Sequence, residues 1–243
     1  MDEYEESTYG DRISEVYDDL YKDCDEAAIE VLGKLAKGGR ALELGIGTGR
    51  VALPLLRQGV KVHGIDASPA MLDKLRRKPG GQDIIVTLGD FADVPVEGVF
   101  NLIYVVFNTF FALLTQEDQV RCFERVAEHL SDDGVFVIEA FVPDMTRFDR
   151  GQSLRVVTMG DDIVRLDATQ IDVWNQQLVS QHIHLSSKGV SLYPVKLRYT
   201  WPSELDLMAQ IAGLHLQHRW QSWDGAAFSA DSGKHISVYG RAE

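Results

Sequence analysis

Three carboxylates placed at the ends of short apolar runs are the residues of this chain best suited to chemistry. Glu43 lies inside the run Ala41-Leu42-Glu43-Leu44, just before glycines at alternate positions, Gly45, Gly47 and Gly49. Asp66 ends the next apolar run, and Gly89-Asp90 ends a third. A strand that runs into a glycine turn and then a helix lets the backbone approach a ligand where side chains would block it. An acid closing the next strand stands at the separation from which a carboxylate reaches a ribose diol. An acid one strand further out can accept from an exocyclic adenine amine. Across three neighbouring strand ends, these groups suit an adenosine.

The glycines alone leave two readings open. Gly47-x-Gly49-x-x-Ala52 fits a dinucleotide fingerprint, which sets a pyrophosphate over a helix N-terminus. Glu43 weighs against it, because an acid beside the glycine turn suits a cationic amino group rather than a pyrophosphate. An NAD(P)-dependent oxidoreductase is therefore the alternative reading, and a non-catalytic cofactor-binding module is a third.

Positioning these groups requires strands that end side by side. Residues 40–44, 60–65, 83–88, 100–107 and 135–141 read as strands, and helical patterns over 50–58, 68–75 and 116–130 lie between them. Ser68 and Pro69 open one helix as N-cap and first helical residue. Such alternation is the pattern of an α/β fold with a doubly wound, mostly parallel, Rossmann-like sheet of seven strands. Residues 131–134, Ser-Asp-Asp-Gly, read as a turn. After Pro143 the texture changes to strand-like runs at 154–157, 163–167, 177–185 and 192–201, an inserted antiparallel β segment. A last helix through Ile211 and a C-terminal antiparallel hairpin, 214–220 with 235–241, close the sheet edge. The chain is expected to be one domain: an N-terminal helical lid over 1–37, a cofactor-binding core over 38–142, the insertion over 143–202, and the last helix and hairpin over 203–243.

At this point the motifs resemble a known family. Glu43-Leu-Gly45-Ile-Gly47-Thr-Gly49, Gly64-Ile-Asp66-Ala67-Ser68 and Leu88-Gly89-Asp90-Phe91 are similar to the first three motifs of class I S-adenosylmethionine-dependent methyltransferases of the small-molecule type. The resemblance implies that Glu43, Gly45, Gly47 and Gly49 cradle the methionine end of S-adenosylmethionine. It sets Asp66 and Ala67 at the ribose, Met71 on the adenine face, and Gly89, Asp90 and Phe91 at the adenine edge. The aromatic face of the first helix, residues 11–21, resembles the lid of aminosugar N-methyltransferases, with Tyr17-Asp18 the matching Tyr-Asp pair. Those enzymes carry a histidine after the fourth strand, where this chain has Phe111-Ala112-Leu113. The segment from Phe107 to Phe111 should face the transferred methyl, with Phe107 at the cofactor. The expected acceptor pocket comprises Tyr21, Asn108, Phe111 and Phe141, roofed by Arg198, Tyr199 and Trp201 of the insertion.

Composition narrows the partners. The net charge is −13, and residues 1–26 hold eleven acids against Arg12 and Lys22. A field of that sign repels phosphate backbones, which argues against a nucleic-acid partner. Residues 1–7 read as a frayed acidic tail. No apolar run is long enough to span a bilayer, and the N-terminus is not signal-like, so the expectation is a cytoplasmic protein without a membrane partner. Cys24 and Cys122 have no metal-ligand spacing, and no metal is expected. His182 and His184 share a strand face but read as a solvated or hydrogen-bonded pair. The expected activity is methyl transfer from S-adenosylmethionine to an N or O atom of a small-molecule acceptor, by a monomer or homodimer.

Overall fold

The computed structural model describes residues 4–22 and 24–242. Helices α1 (Thr8–Leu20) and α2 (Glu26–Leu35) precede the first strand, β1 (Arg40–Leu44). Alternation then runs α3 (Ala52–Arg57), β2 (Lys61–Asp66), α4 (Pro69–Arg77), β3 (Ile85–Leu88), β4 (Phe100–Val105), α5 (Gln116–His129) and β5 (Leu130–Phe141). Four strands follow, β6 (Gln152–Met159), β7 (Ile163–Asp172), β8 (Gln177–Ser186) and β9 (Gly189–Arg198), and then α6 (Pro202–Ile211), β10 (Leu214–Trp220) and β11 (Lys234–Arg241).

The main sheet has seven strands in the order β10-β11-β5-β4-β1-β2-β3. Its β1 to β5 pairings are parallel, and β11 pairs antiparallel with both β5 and β10. The central strands are apolar at nearly every position because both faces are covered. Leu42, Ile103, Phe136 and Ile138 point to the side closed by Phe123 of α5 and Leu205 of α6. Ala41, Leu102, Val135 and Val137 point to the other, closed by Leu32 of α2, Leu55 of α3 and Leu75 of α4. On the first side Phe123 sits edge-on to Phe110, Phe136 and Tyr239.

The inserted strands form a separate four-stranded antiparallel sheet, β6-β7-β8-β9. It is tied to the main layer by a buried polar cluster. Arg198, 5% exposed, donates to Glu204 (2.7 Å), Gln176 (3.1 Å) and Gln119 (2.5 Å). Gln119 in turn donates to the Arg198 carbonyl at 3.0 Å.

Three expectations about elements are corrected. The turn at 131–134 does not precede the fifth strand but interrupts it. Leu130 already pairs with Phe100, and the intervening residues bulge before Val135 pairs with Leu102. The helix after the glycine loop starts later than expected, at Ala52, because Arg50 and Val51 still belong to the turn. The acidic N-terminus is not frayed at Tyr4. Its hydroxyl accepts from the Lys196 backbone N–H at 3.2 Å, and the Lys196 ammonium lies 5.0 Å from its ring centre. The first three residues of that expected tail lie outside the described residues. No helix among the described residues is long and apolar enough to cross a membrane.

Candidate active site

Where β1, β2, β3 and β4 end, a cavity of about 600 Å³ opens between the main sheet, α1 and the inserted sheet. Gly45 and Gly47 line it with φ of +74° and +55°. A Cβ at Gly47 would meet nothing within 4 Å, so the loop keeps open space beside its backbone.

Asp66 lines the same cavity, with one carboxylate oxygen accepting from the Gly47 N–H at 2.7 Å and the other from the Ser68 N–H at 2.8 Å. The side chain is thereby locked in orientation, and each oxygen keeps a lone pair for a diol. Burial raises its pKa, an effect the Ser68 and Gly47 hydrogen bonds oppose. Asp90 is likewise raised by burial, against the Ala92 N–H that its side chain accepts at 2.9 Å. Ala67, Met71 and Phe91 line the cavity beside these acids. A locked acid at one end, a second acid at the other and apolar side chains between them fit an adenosine.

Glu43 stands behind the glycine loop rather than in the cavity wall. It is 3% exposed and accepts from the Tyr104 hydroxyl at 2.9 Å. Burial pushes its pKa up to about 8, against the Tyr104 hydrogen bond and the Arg50 charge. The Arg50 guanidinium lies 4.4 Å from the centre of the Phe107 ring and hydrogen-bonds Tyr17. Burial lifts the Tyr17 phenol to about 12 despite that guanidinium. Gly49 and Gly89 also sit outside the wall: a Cβ at Gly49 would strike Leu75 and Leu53, and Gly89 N–H donates to the Asp66 carbonyl at 3.0 Å. Their place is in packing the loops.

The lid helix crosses the mouth with its tyrosines inward. Tyr17 and Tyr21 are 4.9 Å apart, and Tyr21 meets Phe107 at 5.1 Å. Asp11 accepts from Ser68 Oγ at 2.6 Å, and Asp18 accepts from Thr48 Oγ1 at 2.6 Å and from Lys78 at 2.8 Å. These bonds pin α1 to the glycine loop and to the N-terminus of α4.

Phe107 and Asn108 both have positive φ, 58° and 67°. For side-chain-bearing residues this is a strained backbone, held where surrounding bonds over-determine it. Here Glu139 accepts from the Phe107 N–H at 3.1 Å, and the Asn108 side-chain oxygen accepts from the Phe141 N–H at 2.7 Å. Phe107, Asn108, Tyr21 and Phe141 all line the cavity.

Four expected pocket residues are not in its wall. Phe111 is fully buried and packs edge-on against Phe141 at 4.9 Å, as its apolar neighbours in the core dictate. Arg198 belongs to the buried polar cluster described above. Tyr199 is 1% exposed and faces the main core. Trp201, 39% exposed, ends the insertion as the cap position of α6 and turns to solvent. The insertion does roof the cavity, but through earlier positions.

Those positions are Arg155 on β6, Asp167 and Thr169 on β7, Leu178, Ser180 and His182 on β8, and Val195 and Leu197 on β9. His182 Nδ1 meets an Asp167 carboxylate oxygen at 2.5 Å, and Arg155 approaches the other at 3.5 Å. Burial alone would raise the Asp167 carboxyl, but the hydrogen bond and charge of His182, followed by Arg155, hold it below the usual range. Tyr9, also in the wall, presents its ring at 6.3 Å from that of His182 and hydrogen-bonds Tyr21. His182 is hydrogen-bonded, as one of its two expected environments has it, but its carboxylate partner and its place in the cavity wall were not expected. The signal was present in the hairpin: Asp172 pairs with Gln177 across the turn, and the same count back along each strand sets Asp167 opposite His182.

Known methyltransferases share this chain's sequence and fold. Residues 41–134 match the model of a methyltransferase domain. The chain is 31% identical over 209 residues to the cypemycin N-terminal methyltransferase of a Streptomyces species, covering 84% of each. Its fold superposes on the CcbJ methyltransferase from Streptomyces caelestis with a TM-score of 0.93, at 39% identity over 99% of this chain and 100% of that one. The fold alone is shared with CalS10, an amino pentose methyltransferase from Micromonospora echinaspora solved with S-adenosylmethionine bound, at a TM-score of 0.70 and 22% identity over 93% and 97% of the chains.

Proposed function

The chain belongs to the S-adenosylmethionine-dependent methyltransferases, and within that family we propose that it methylates an amine nitrogen of a small molecule. Family membership sets aside the dinucleotide oxidoreductase reading. The observation that carries the proposal is that one cavity is lined both by the glycine loop and by a set of aromatic and acidic side chains. Tyr4, Tyr9, Tyr17 and Tyr21 line it together with Glu5 and Glu6. Tyrosine faces and carboxylates attract a protonated amine, and the enclosure by α1 and the inserted sheet suits a small acceptor. The name of the cypemycin relative, an N-terminal methyltransferase, supports nitrogen as the atom modified.

When bound, S-adenosylmethionine supplies a methyl group already activated on a sulfonium, displaced in line by a lone pair of the acceptor. The protein's part is orientation and exclusion of water. In this reading Asp66 and Asp90 hold the two ends of the adenosine, with Met71 and Phe91 on its base. Glu43, held by Tyr104, stands behind the glycine loop at the methionine end. Tyr17 and Tyr21 close the site from above, and the bonded turn at Phe107-Asn108 fixes the wall that the acceptor faces. We take the whole chain as one functional unit, since α1, the main sheet and the inserted sheet each supply part of the cavity.

A screen with methyl-labelled S-adenosylmethionine tests this reading, using a tripeptide with a free α-amine, a nucleotide-linked aminohexose, a cyclic secondary amine, catechol and transfer RNA. Label on an amine is expected. Label only on catechol oxygen or on RNA would overturn it.

A further inference from the structure

We propose that His182 is the proton acceptor of the reaction, taking a proton from the bound ammonium through Nε2, with Asp167 as its positioning residue. This rests on the reading of the acceptor as an amine. An amine that enters a tyrosine- and carboxylate-lined cavity as its cation has no lone pair with which to attack. One N–H bond must break before a C–N bond can form, and a group in the wall must receive the proton.

Among the side chains of the inserted sheet that line the cavity, His182 has the chemistry of such a group. Its Nδ1 is engaged by the Asp167 carboxylate at 2.5 Å. A carboxylate accepts, so Nδ1 carries the hydrogen and Nε2 keeps the lone pair. The dyad is oriented on rigid elements: the two residues are directly opposed in the β7–β8 ladder, ten residues of each strand being in register. Every element around His182 contributes a group. Arg155 of β6 supports Asp167, Tyr193 of β9 pairs opposite His182, His184 lies two residues further along the strand, and Tyr9 of α1 closes from the lid. Tyr9 then connects through its hydrogen bond to Tyr21, which touches Phe107. The histidine and the glycine loop line the same cavity.

The segment after β4, Phe111-Ala112-Leu113, supplies no proton acceptor, and Phe111 is buried in the core. In balance, the ammonium N–H bond breaks as an N–H bond forms at Nε2. The freed lone pair forms the C–N bond as the methyl C–S bond breaks, and the imidazolium beside Asp167 returns its proton to solvent. S-adenosylhomocysteine, the methylated amine and one proton are the products.

Two measurements on the full chain test it. The first is long-range proton–nitrogen NMR of the histidine rings. His182 is expected as the Nδ1–H tautomer with a strongly downfield proton that disappears in Asp167→Asn; an Nε2–H tautomer in the wild type overturns the assignment. The second is turnover with whichever amine of the screen above the wild type methylates, for His182→Gln and Asp167→Asn. kcat should fall about 100-fold or more in H182Q near pH 7, with partial recovery at high pH, where the amine loses its proton unaided. D167N should lower kcat by less and leave KM nearly unchanged. S-adenosylhomocysteine affinity should stay within twofold of wild type in both variants, which shows that the cofactor half is intact. H182Q turning over within twofold of wild type would overturn the proposal while leaving the amine reading in place. A wild type that methylates only catechol or RNA would overturn both, and the NMR would still report the dyad's geometry.

Discussion

Glu43 illustrates how a single residue is read first by its neighbours in sequence and then by its neighbours in space. Its place before the glycines marks it as part of the cofactor loop, yet its carboxylate is turned inward onto Tyr104, on the adjacent strand. Removing that hydroxyl leaves a buried oxygen with one donor fewer, which costs about 1–3 kcal/mol. Tyr104→Phe should show this loss in urea unfolding at pH 8.5, where Glu43 is ionised and needs the donor, and less of it at pH 6. An equal loss at both values would mean that the carboxyl does not change its charge across that range. Asp66, by contrast, faces the cavity, and the two backbone N–H groups that hold it come from the adjacent loops. The residue scale is also where sequence reading failed most. Arg198 is expected in the roof because the insertion follows the fifth strand, and its neighbours in sequence carry no sign that it is buried. Its partners Gln119, Gln176 and Glu204 come from three other segments, so only the folded chain reveals them.

At the scale of elements, the parallel core was legible because long apolar runs, capped helices and strand-end acids all point to the same order of strands. The inserted sheet was legible as antiparallel strands but not in its register, since short alternating runs do not say which face turns inward. The expected roof therefore fell too far along the chain, on residues 198–201, where β9 ends at Arg198 and the cluster around it begins. That cluster is the joint between the two sheets. Arg198→Ala would strand Glu204, whose carboxyl is held below its ordinary range despite burial by Gln176, Arg198 and Gln116. Breaking such a pair costs about 3–5 kcal/mol, and a chemical denaturation curve should show it. A change below 1 kcal/mol would return Arg198 to the pool of substrate candidates. The lid is a second joint. Asp18 links α1 to Thr48 and Lys78 across the glycine loop. Asp18→Ala is expected to weaken S-adenosylhomocysteine binding by about 3- to 10-fold, the equivalent of one partly exposed hydrogen-bonded pair, with little effect on the unfolding midpoint. An unchanged affinity would separate the lid from the cofactor half of the site.

At the scale of the whole molecule, two buried groups give stability opposite dependences on pH. Burial lowers His235 from 6.5 to about 4, so below pH 6.5 the unfolded chain binds more protons and stability rises with pH. Glu43 is raised from 4.5 to about 8, so between those values the native chain binds more protons and stability falls as pH rises. The two oppose each other below pH 6.5. Above it the His235 contribution is complete, and the Glu43 slope remains. Unfolding free energy of the ligand-free protein should therefore drop by about 2 kcal/mol between pH 6.5 and 8, and Glu43→Gln should flatten that slope. A wild-type curve that is flat or rising over this window would place Glu43 in its ionised form throughout.

The central claim is that the ends of β1, β2 and β3 form one adenosine site built around the locked carboxylate of Asp66. Titration calorimetry with S-adenosylhomocysteine at pH 7.5 tests it most directly. One site per chain is expected in the wild type, and Asp66→Ala, folded as judged by its unfolding curve, should bind at least 10-fold more weakly. Absence of binding to the wild type, or equal affinity in Asp66→Ala, would contradict the account.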